Sequence, residues 1–371
     1  MHTLNIKTKG LCNVCYREIP ARVYEKDGQI LIRKACPRHG AFTGLVENNP
    51  RFYRWFTSIS PQRYRRFTTL LLPVTYRCNL SCNYCFSHYP SRSDLAIGQI
   101  MQAVKAFNGK YIELSGGEPT LREDLPLIIK TIKGLGKNVI LETNGLKLAD
   151  IQYLRRLKKA GLDQILFSFD SLQNSFYKKI SASKEPIRQN ILSIKRKAIM
   201  NLRRESMPSI LSVTVYRGLN DQEIKDLFIF AMRYSSCITQ IRFRSFVNLS
   251  GSKKNPCKSY TLSELCSLFS KQLHIDEEDL KTDFLKSRLG RSVILYFEGY
   301  INKRKFIPYR HVFRTEQASS LAIKKLEVKI ISWPTVENID LRDLKTTMVY
   351  LTYKKRLLKF FYGVVRDSRH F

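Results

Sequence analysis

An alternation that starts near residue 69 and runs to about 250 constrains this chain more than any other feature. Short runs rich in branched and aromatic residues, at 70–75, 111–114, 139–142, 165–169, 210–215 and 241–246, read as strands. Segments with helical spacing separate them, at 94–107, 124–135, 150–159, 186–201 and 221–233. Several of these open on Asp, which caps a helix by accepting from its free backbone amides. Strands joined through helices cannot pair as hairpins. The repeat therefore predicts a parallel sheet with helices on its outer face, curled into a partial (βα)6 TIM-type barrel. In such a fold, ligands sit at the C-terminal strand ends.

The polar motifs fall at those ends. The first strand runs into Cys78-Asn79-Leu80-Ser81-Cys82-Asn83-Tyr84-Cys85, three cysteines spaced C-x3-C-x2-C. Three thiolates on one short loop suit three irons of a cubane cluster and leave one iron open. A Cys3His zinc site completed by His88 is the rival. The second strand ends in Ser115-Gly116-Gly117-Glu118-Pro119-Thr120.

Residues 1–48 read as a small separate module. Cys12-Asn13-Val14-Cys15 is a C-x2-C knuckle, and runs at 21–24 and 29–33, turning at Lys26-Asp27-Gly28, lead to Cys36-Pro37-Arg38-His39-Gly40. Cys12, Cys15, Cys36 and His39 offer the donors of a structural zinc, which a stretch too short for its own core needs. A mononuclear iron of the rubredoxin type is the alternative. Residues 49–68 interleave aromatics with arginine and read as a connector packing on its neighbour. Residues 251–371 read as an α+β extension, with a capping box at Thr261-Leu262-Ser263-Glu264 and strands at 293–297, 328–331 and 348–351. The barrel itself occupies 69–250.

Lys and Arg outnumber Asp and Glu by 64 to 31. That excess favours anionic partners without choosing among phosphate-bearing substrates, nucleic acid and acidic membrane headgroups. No apolar run spans a bilayer and the polar start lacks a signal-peptide core, so the expected location is cytoplasmic, with peripheral membrane contact left open. In that setting six of the nine cysteines, in two ligand-spaced groups, read as metal ligands rather than disulfides. Cys237 and Cys266 read as small core residues, and Cys257 has no assignment.

The three-cysteine loop after one strand, with Gly-Gly-Glu-Pro after the next, resembles the radical S-adenosylmethionine (SAM) superfamily. The resemblance implies a [4Fe–4S] cluster on Cys78, Cys82 and Cys85, with SAM chelated at its open iron. Reductive cleavage of SAM there gives a 5′-deoxyadenosyl radical that abstracts hydrogen from an unactivated carbon. Gly116 and Gly117 would admit the SAM methionine moiety and Glu118 would pair with its ammonium. Thr143, Asn144, Ser168, Asp170, Thr214 and Tyr216 would offer polar groups, Arg217 would reach the carboxylate, and Tyr84 would pack near the adenine. A reductase such as a ferredoxin or flavodoxin is the implied partner.

Within that superfamily the amino-terminal module, residues 116–125, Thr143-Asn144-Gly145 and residues 213–221 resemble the tetraether lipid synthases and dihydropterin dimethyltransferase-like proteins. Those carry further cysteines toward the C-terminus, whereas nothing after Cys266 is cysteine here and residues 339–347 resemble the matching segment without its thiol. That argues against a second cluster. Three readings follow: a radical SAM enzyme acting on a lipid or isoprenoid; one modifying a pterin-like precursor, RNA or peptide; or a non-catalytic zinc protein bound to nucleic acid.

Overall fold

Period-two alternation builds the amino-terminal sheet. In β2 (Glu18–Lys26), Ile19, Ala21 and Val23 are buried while their neighbours face solvent, and Ile30 and Ile32 of β3 (Gln29–Cys36) meet them. β1 (Asn5–Leu11) and β4 (Gly40–Glu47) complete an antiparallel four-stranded ribbon in sequence order. The β2–β3 turn needs positive φ at both Asp27 and Gly28, the requirement of a tight two-residue hairpin. This computed structural model describes residues 4–15, 17–58, 69–83, 85, 93–181, 183, 187–246, 259–274, 294–302, 305–308 and 324–331.

Helix α1 (Pro50–Ser58) follows directly. Its aromatics face two ways: Tyr53 packs on the ribbon's core, while Phe52 is buried in the barrel's core with Trp55 and Phe56 against it. The rest of the 49–68 stretch, from residue 59, lies outside the described residues.

Six parallel strands then run in sequence order: β5 (Thr69–Thr75), β6 (Tyr111–Gly116), β7 (Asn138–Thr143), β8 (Gln164–Ser168), β9 (Ser209–Val215) and β10 (Ile238–Ser245). Helices α2 (Ile97–Ala106), α3 (Leu125–Gly134), α4 (Ile151–Lys159), α5 (Asn174–Ile180), α6 (Ile187–Arg204) and α7 (Ile224–Arg233) connect them. Alternate strand residues, among them Ile112, Leu114, Val139, Leu141, Leu211, Val213, Ile241 and Phe243, join the helices in one buried core. The other parity faces inward, where Ile140, Leu166 and Ile210 form a separate apolar cluster. Arg244 of β10 approaches Glu142 of β7 to 4.0 Å. Those strands are three places apart, about 14 Å in a flat sheet, and the curl of a partial barrel turns both side chains into one interior.

Among the described residues, the strands that follow residue 250 join the barrel sheet. β13 (Lys324–Ile331) pairs parallel with β10, and β11 (Ile294–Asn302) and β12 (Lys305–Pro308) add antiparallel beyond it, giving nine strands in one sheet. An unpaired β10 edge would leave a row of backbone donors and acceptors exposed. Helix α8 (Leu262–Leu273) opens on the expected capping box, Thr261 accepting from the Glu264 amide and Glu264 from the Thr261 amide. The predicted strand at 348–351, the thiol-less segment 339–347 and Cys257 lie outside the described residues. Cys237 and Cys266 are buried core residues.

Candidate active site and metal centre

In the ribbon, the Cys12, Cys15 and Cys36 sulfurs and a His39 ring nitrogen all lie within 4.8 Å of one another. His39 Nδ1 stands 3.5 Å from Cys12 Sγ and 3.4 Å from Cys36 Sγ. Amides of Val14 and Cys15 point at Cys12 Sγ, and the buried Lys34 ammonium donates to Leu11 O (2.9 Å) and Asn13 Oδ1 (2.7 Å) behind it. Burial alone would raise the Cys12 thiol. The two amides, with Cys15 and Cys36 beside it, bring it down to about 6 instead. A sulfur that ionises this readily, grouped with two more and an imidazole, fits a four-coordinate zinc.

The barrel site begins where β5 ends. The cysteine loop is tied at its middle to the end of α5: Cys82 bridges Ser181, Asn83 N donates to Ile180 O (2.9 Å) and Ser81 N to Ser183 Oγ (2.9 Å). Its start is held by Arg77, paired with Asp94 at 2.6 Å. Burial first, then neighbouring negative charge, pushes the Cys78 thiol up to about 11 and Cys82 to about 12; Cys85 acts on both. Sulfurs so placed ionise only against strong positive charge, and three of them, with no fourth cysteine beside them among the described residues, suit an iron–sulfur cube with one free corner. His88 and Tyr84 lie outside the described residues.

The glycine-rich turn after β6 lies directly against this loop. Gly117 N donates to Thr75 O and Glu118 N to Arg77 O, both at 2.8 Å. Gly116 holds φ +138°, and a Cβ there would collide with the Thr75 carbonyl; a Cβ on Gly117 would collide with that of Arg77. Both obstacles are backbone. The segment leading into the cysteine loop thus lies where a side chain would stand at either position, and this close docking requires glycine.

Glu118 is bonded within the protein on several sides. Its carboxylate is fully buried and accepts from Thr120 N, Thr120 Oγ1, Thr143 Oγ1 and Asn144 N at 2.6–3.1 Å. It fastens the end of β7 to the glycine turn, and Asn144 Nδ2 is left reaching Asn79 Oδ1 (2.8 Å) and, at 4.0 Å, Cys78 Sγ. Burial raises the Glu118 carboxyl against those donors.

At the next strands Asp170 accepts from Thr214 N at 2.7 Å, and Asn220 Nδ2 donates to Asp170 O (2.6 Å) and Thr214 O (2.8 Å). Tyr216 is buried between Phe176 and Phe246. Arg217 stacks 3.9 Å over the Tyr260 ring and bonds Glu264 at 2.8 Å, yet its Nε is buried with no hydrogen-bond partner among the described residues.

Sequence reasoning missed Lys195, on α6. It is 2% exposed, and its ammonium donates to Asn144 O (2.8 Å) and Ser168 O (2.5 Å) while lying over the Phe167 and Tyr177 rings. One buried cation thereby pins the ends of β7 and β8, with Asp170, Cys82, Glu118 and Cys78 within its field. Its signal was positional: Lys195 shares a helical stripe with buried Ile191, Ala198 and Leu202.

Residues 72–231 match the radical SAM superfamily model and residues 5–48 the HMPTM N-terminal zinc ribbon domain. The chain is 31% identical over 338 residues to a Methanocaldococcus jannaschii protein named 7,8-dihydro-6-hydroxymethylpterin dimethyltransferase, covering 81% of this chain and 64% of that one. It is 33% identical over 184 residues to a probable GTP 3′,8-cyclase of Pyrococcus abyssi, covering 48% and 57%. The chain thus spans about 60% of the length of these two relatives. Among solved structures, Streptococcus suis SuiB bound to S-adenosylmethionine aligns with a TM-score of 0.47 at 17% identity, over 55% of this chain and 46% of that one. These two relatives are named for pterin and GTP chemistry. No helix among the described residues is long and apolar enough to cross a membrane. A radical SAM domain implies a [4Fe–4S] cluster and SAM, and a zinc ribbon implies a metal. The chain carries a radical SAM superfamily domain, preceded by a zinc ribbon of the HMPTM kind.

Proposed function

We propose that the chain is a radical SAM enzyme that modifies a pterin-like small molecule at carbon. The observation that carries this is the docking of the three-cysteine loop onto the glycine turn, with the polar ends of β7, β8 and β9 ranged beside it. Cys78, Cys82 and Cys85 would hold the cluster. When bound there, cluster and SAM supply one-electron cleavage of a carbon–sulfur bond and removal of a hydrogen atom from substrate.

The chain's own part is placement. Glu118 holds Asn144 at the cysteine loop, and Lys195 holds Asn144 and Ser168 from beneath. Asp170 and Asn220 lock the ends of β8 and β9, and Arg217 offers its spare Nε to the SAM carboxylate. Fixed donors in a site closed to water need no reorganisation as charge develops. The ribbon would carry one zinc as a structural staple. The pterin-like substrate class is supported by the 31% identity over 81% of this chain to the Methanocaldococcus protein.

Anaerobic protein reconstituted with iron and sulfide, reduced with dithionite and given SAM and 7,8-dihydro-6-hydroxymethylpterin, should release 5′-deoxyadenosine and yield a mass-shifted pterin. An iron-free loop in anaerobically prepared protein, with SAM left intact, would sink the proposal.

A further inference from the structure

Beneath the cysteine loop lies a buried cation whose charge the proposed function leaves unused. Lys195 sits in α6 on a stripe with Ile191, Ala198 and Leu202, where packing alone would call for another apolar residue. Burying an ammonium costs free energy unless its donors are satisfied and negative charge accompanies it. Both conditions are met here. The ammonium donates to Asn144 O (2.8 Å) and Ser168 O (2.5 Å), and the rings of Phe167 and Tyr177 face it at 5.2 and 5.7 Å.

Two of those neighbours lead straight to the cysteine loop. The Asn144 side chain donates to Asn79 Oδ1 at 2.8 Å and approaches Cys78 Sγ to 4.0 Å. Tyr177 belongs to α5; its carbonyl accepts from Ser181 N at 3.1 Å, and Ser181 is the residue bridged to Cys82. Lys195 is thus tied to Cys78 through one residue and to Cys82 through one helical turn. The electrostatics run the same way. Burial raises the Cys82 thiol most, Cys85, Cys78 and Asp170 add to that, and Lys195 opposes them. Burial in turn lowers the Lys195 ammonium, while Asp170, Cys82, Glu118 and Cys78 hold it up. Asp170 is buried as well and accepts from Thr214 N at 2.7 Å. A buried cation and a buried carboxylate therefore act on Cys82 with opposite sign.

Holding two carbonyls requires donors but no charge, and a neutral amide side chain supplies donors at a smaller desolvation cost. A charge in this place acts on whatever charge the loop carries. We infer that Lys195 raises the reduction potential of the cluster that Cys78, Cys82 and Cys85 would hold, with Asp170 acting in the opposite direction. This rests on the radical SAM reading. The step concerned adds one electron, drawn from a low-potential donor such as a reduced ferredoxin, a flavodoxin or dithionite, and it makes or breaks no bond. That electron leaves the loaded loop more negative. A fixed cation in a poorly solvated site stabilises the more negative state more, and a fixed carboxylate does the reverse.

Reconstituted protein without SAM is poised at a series of potentials, and the reduced cluster is followed by electron paramagnetic resonance. Lys195→Gln keeps a donor and removes the charge. Its midpoint should fall by about 59 mV or more, a tenfold loss of reduced over oxidised cluster at a fixed potential. Lys195→Arg keeps the charge and should stay near the native midpoint. Asp170→Asn keeps an acceptor for the Thr214 amide and should raise the midpoint. SAM cleavage by Lys195→Gln should lag with dithionite and recover with titanium(III) citrate, a stronger reductant, which a merely structural defect would not do. A native midpoint in Lys195→Gln, or an equal fall in Lys195→Gln and Lys195→Arg, overturns the inference. Where Lys195→Gln takes up no cluster, Asp170→Asn decides: a raised midpoint supports the inference and an unchanged or lowered one overturns it. Iron content and SAM cleavage by the native chain report on the premise separately. An iron-free loop and intact SAM sink the proposed function, whereas unshifted midpoints in cluster-loaded variants sink the role of Lys195 alone.

Discussion

The ribbon and the barrel both gather cysteines, but on opposite terms. The ribbon brings together four donors whose lead thiol, Cys12, is drawn down to about 6 by amides and its neighbouring thiols. The barrel loop brings three, and there burial pushes Cys78 up to about 11 and Cys82 to about 12. A filled set of four coordinates a metal and leaves nothing for substrate, which is the mark of a structural site. A set of three in a poorly solvated cleft demands a highly charged guest and leaves part of it uncovered. The difference separates a staple from a reaction centre by donor count and local dielectric alone.

The widest split between them should come from Cys82→Ala. It should abolish iron uptake at the loop and all 5′-deoxyadenosine release, while about one zinc per chain remains by metal analysis. Retained iron and cleavage would break the comparison. Next in size, Cys36→Ser should release the ribbon metal, whose binding free energy in such modules is on the order of 10 kcal/mol, and open residues 5–48 to limited proteolysis. An unchanged protease pattern would deny the staple role. Lys195→Met removes a buried cation from two carbonyls and should cost about 2 kcal/mol in urea unfolding, with faster amide exchange near Asn144. Equal exchange would show that the cation does not pin those strand ends.

The smallest expected effect is a pH dependence. Burial, with Glu142 beside it, raises the Glu113 carboxyl in the folded chain from 4.5 to about 7. Its protonated form therefore favours the fold, fully below the unfolded value, and that contribution is lost as pH rises through about 7. Glu113→Gln should accordingly gain on the native chain between pH 5 and pH 8, by on the order of 2 kcal/mol. A gain that is flat with pH would mean that Glu113 is solvated like a surface carboxylate.

The six βα units were legible because buried strands enriched in Ile, Val and Phe contrast sharply with Lys-rich amphipathic helices. β1 and β4 were harder to see. Lys7, Lys9 and Thr8 dilute the β1 pattern, and β4 carries Gly40 and Gly44. Their state is set by pairing with β2 and β3, a non-local term that local propensity does not contain. The short helix α5 was masked by its polar start, Asn174-Ser175.

For the site, the metal spacings were plain because ligation requires near neighbours in sequence. The protein contacts of the glycines and of Glu118 were not, since they join strand ends far apart in sequence. Lys195 was hidden among Lys197, Arg196 and other cations of α6. The alternation Arg242-Phe243-Arg244 did carry its signal, placing two cations on the inward face of a buried strand.

Glu47, at the close of the ribbon, is 4% exposed and accepts from both the amide and the hydroxyl of Ser263, 216 positions further along the chain. Cutting away the first four dozen residues would strip the first turn of α8 of its carboxylate and bare the aromatic side of α1. The amino-terminal module is thus no detachable tag: a shortened version meant to isolate the barrel would begin its life with a wound at the other end of the protein.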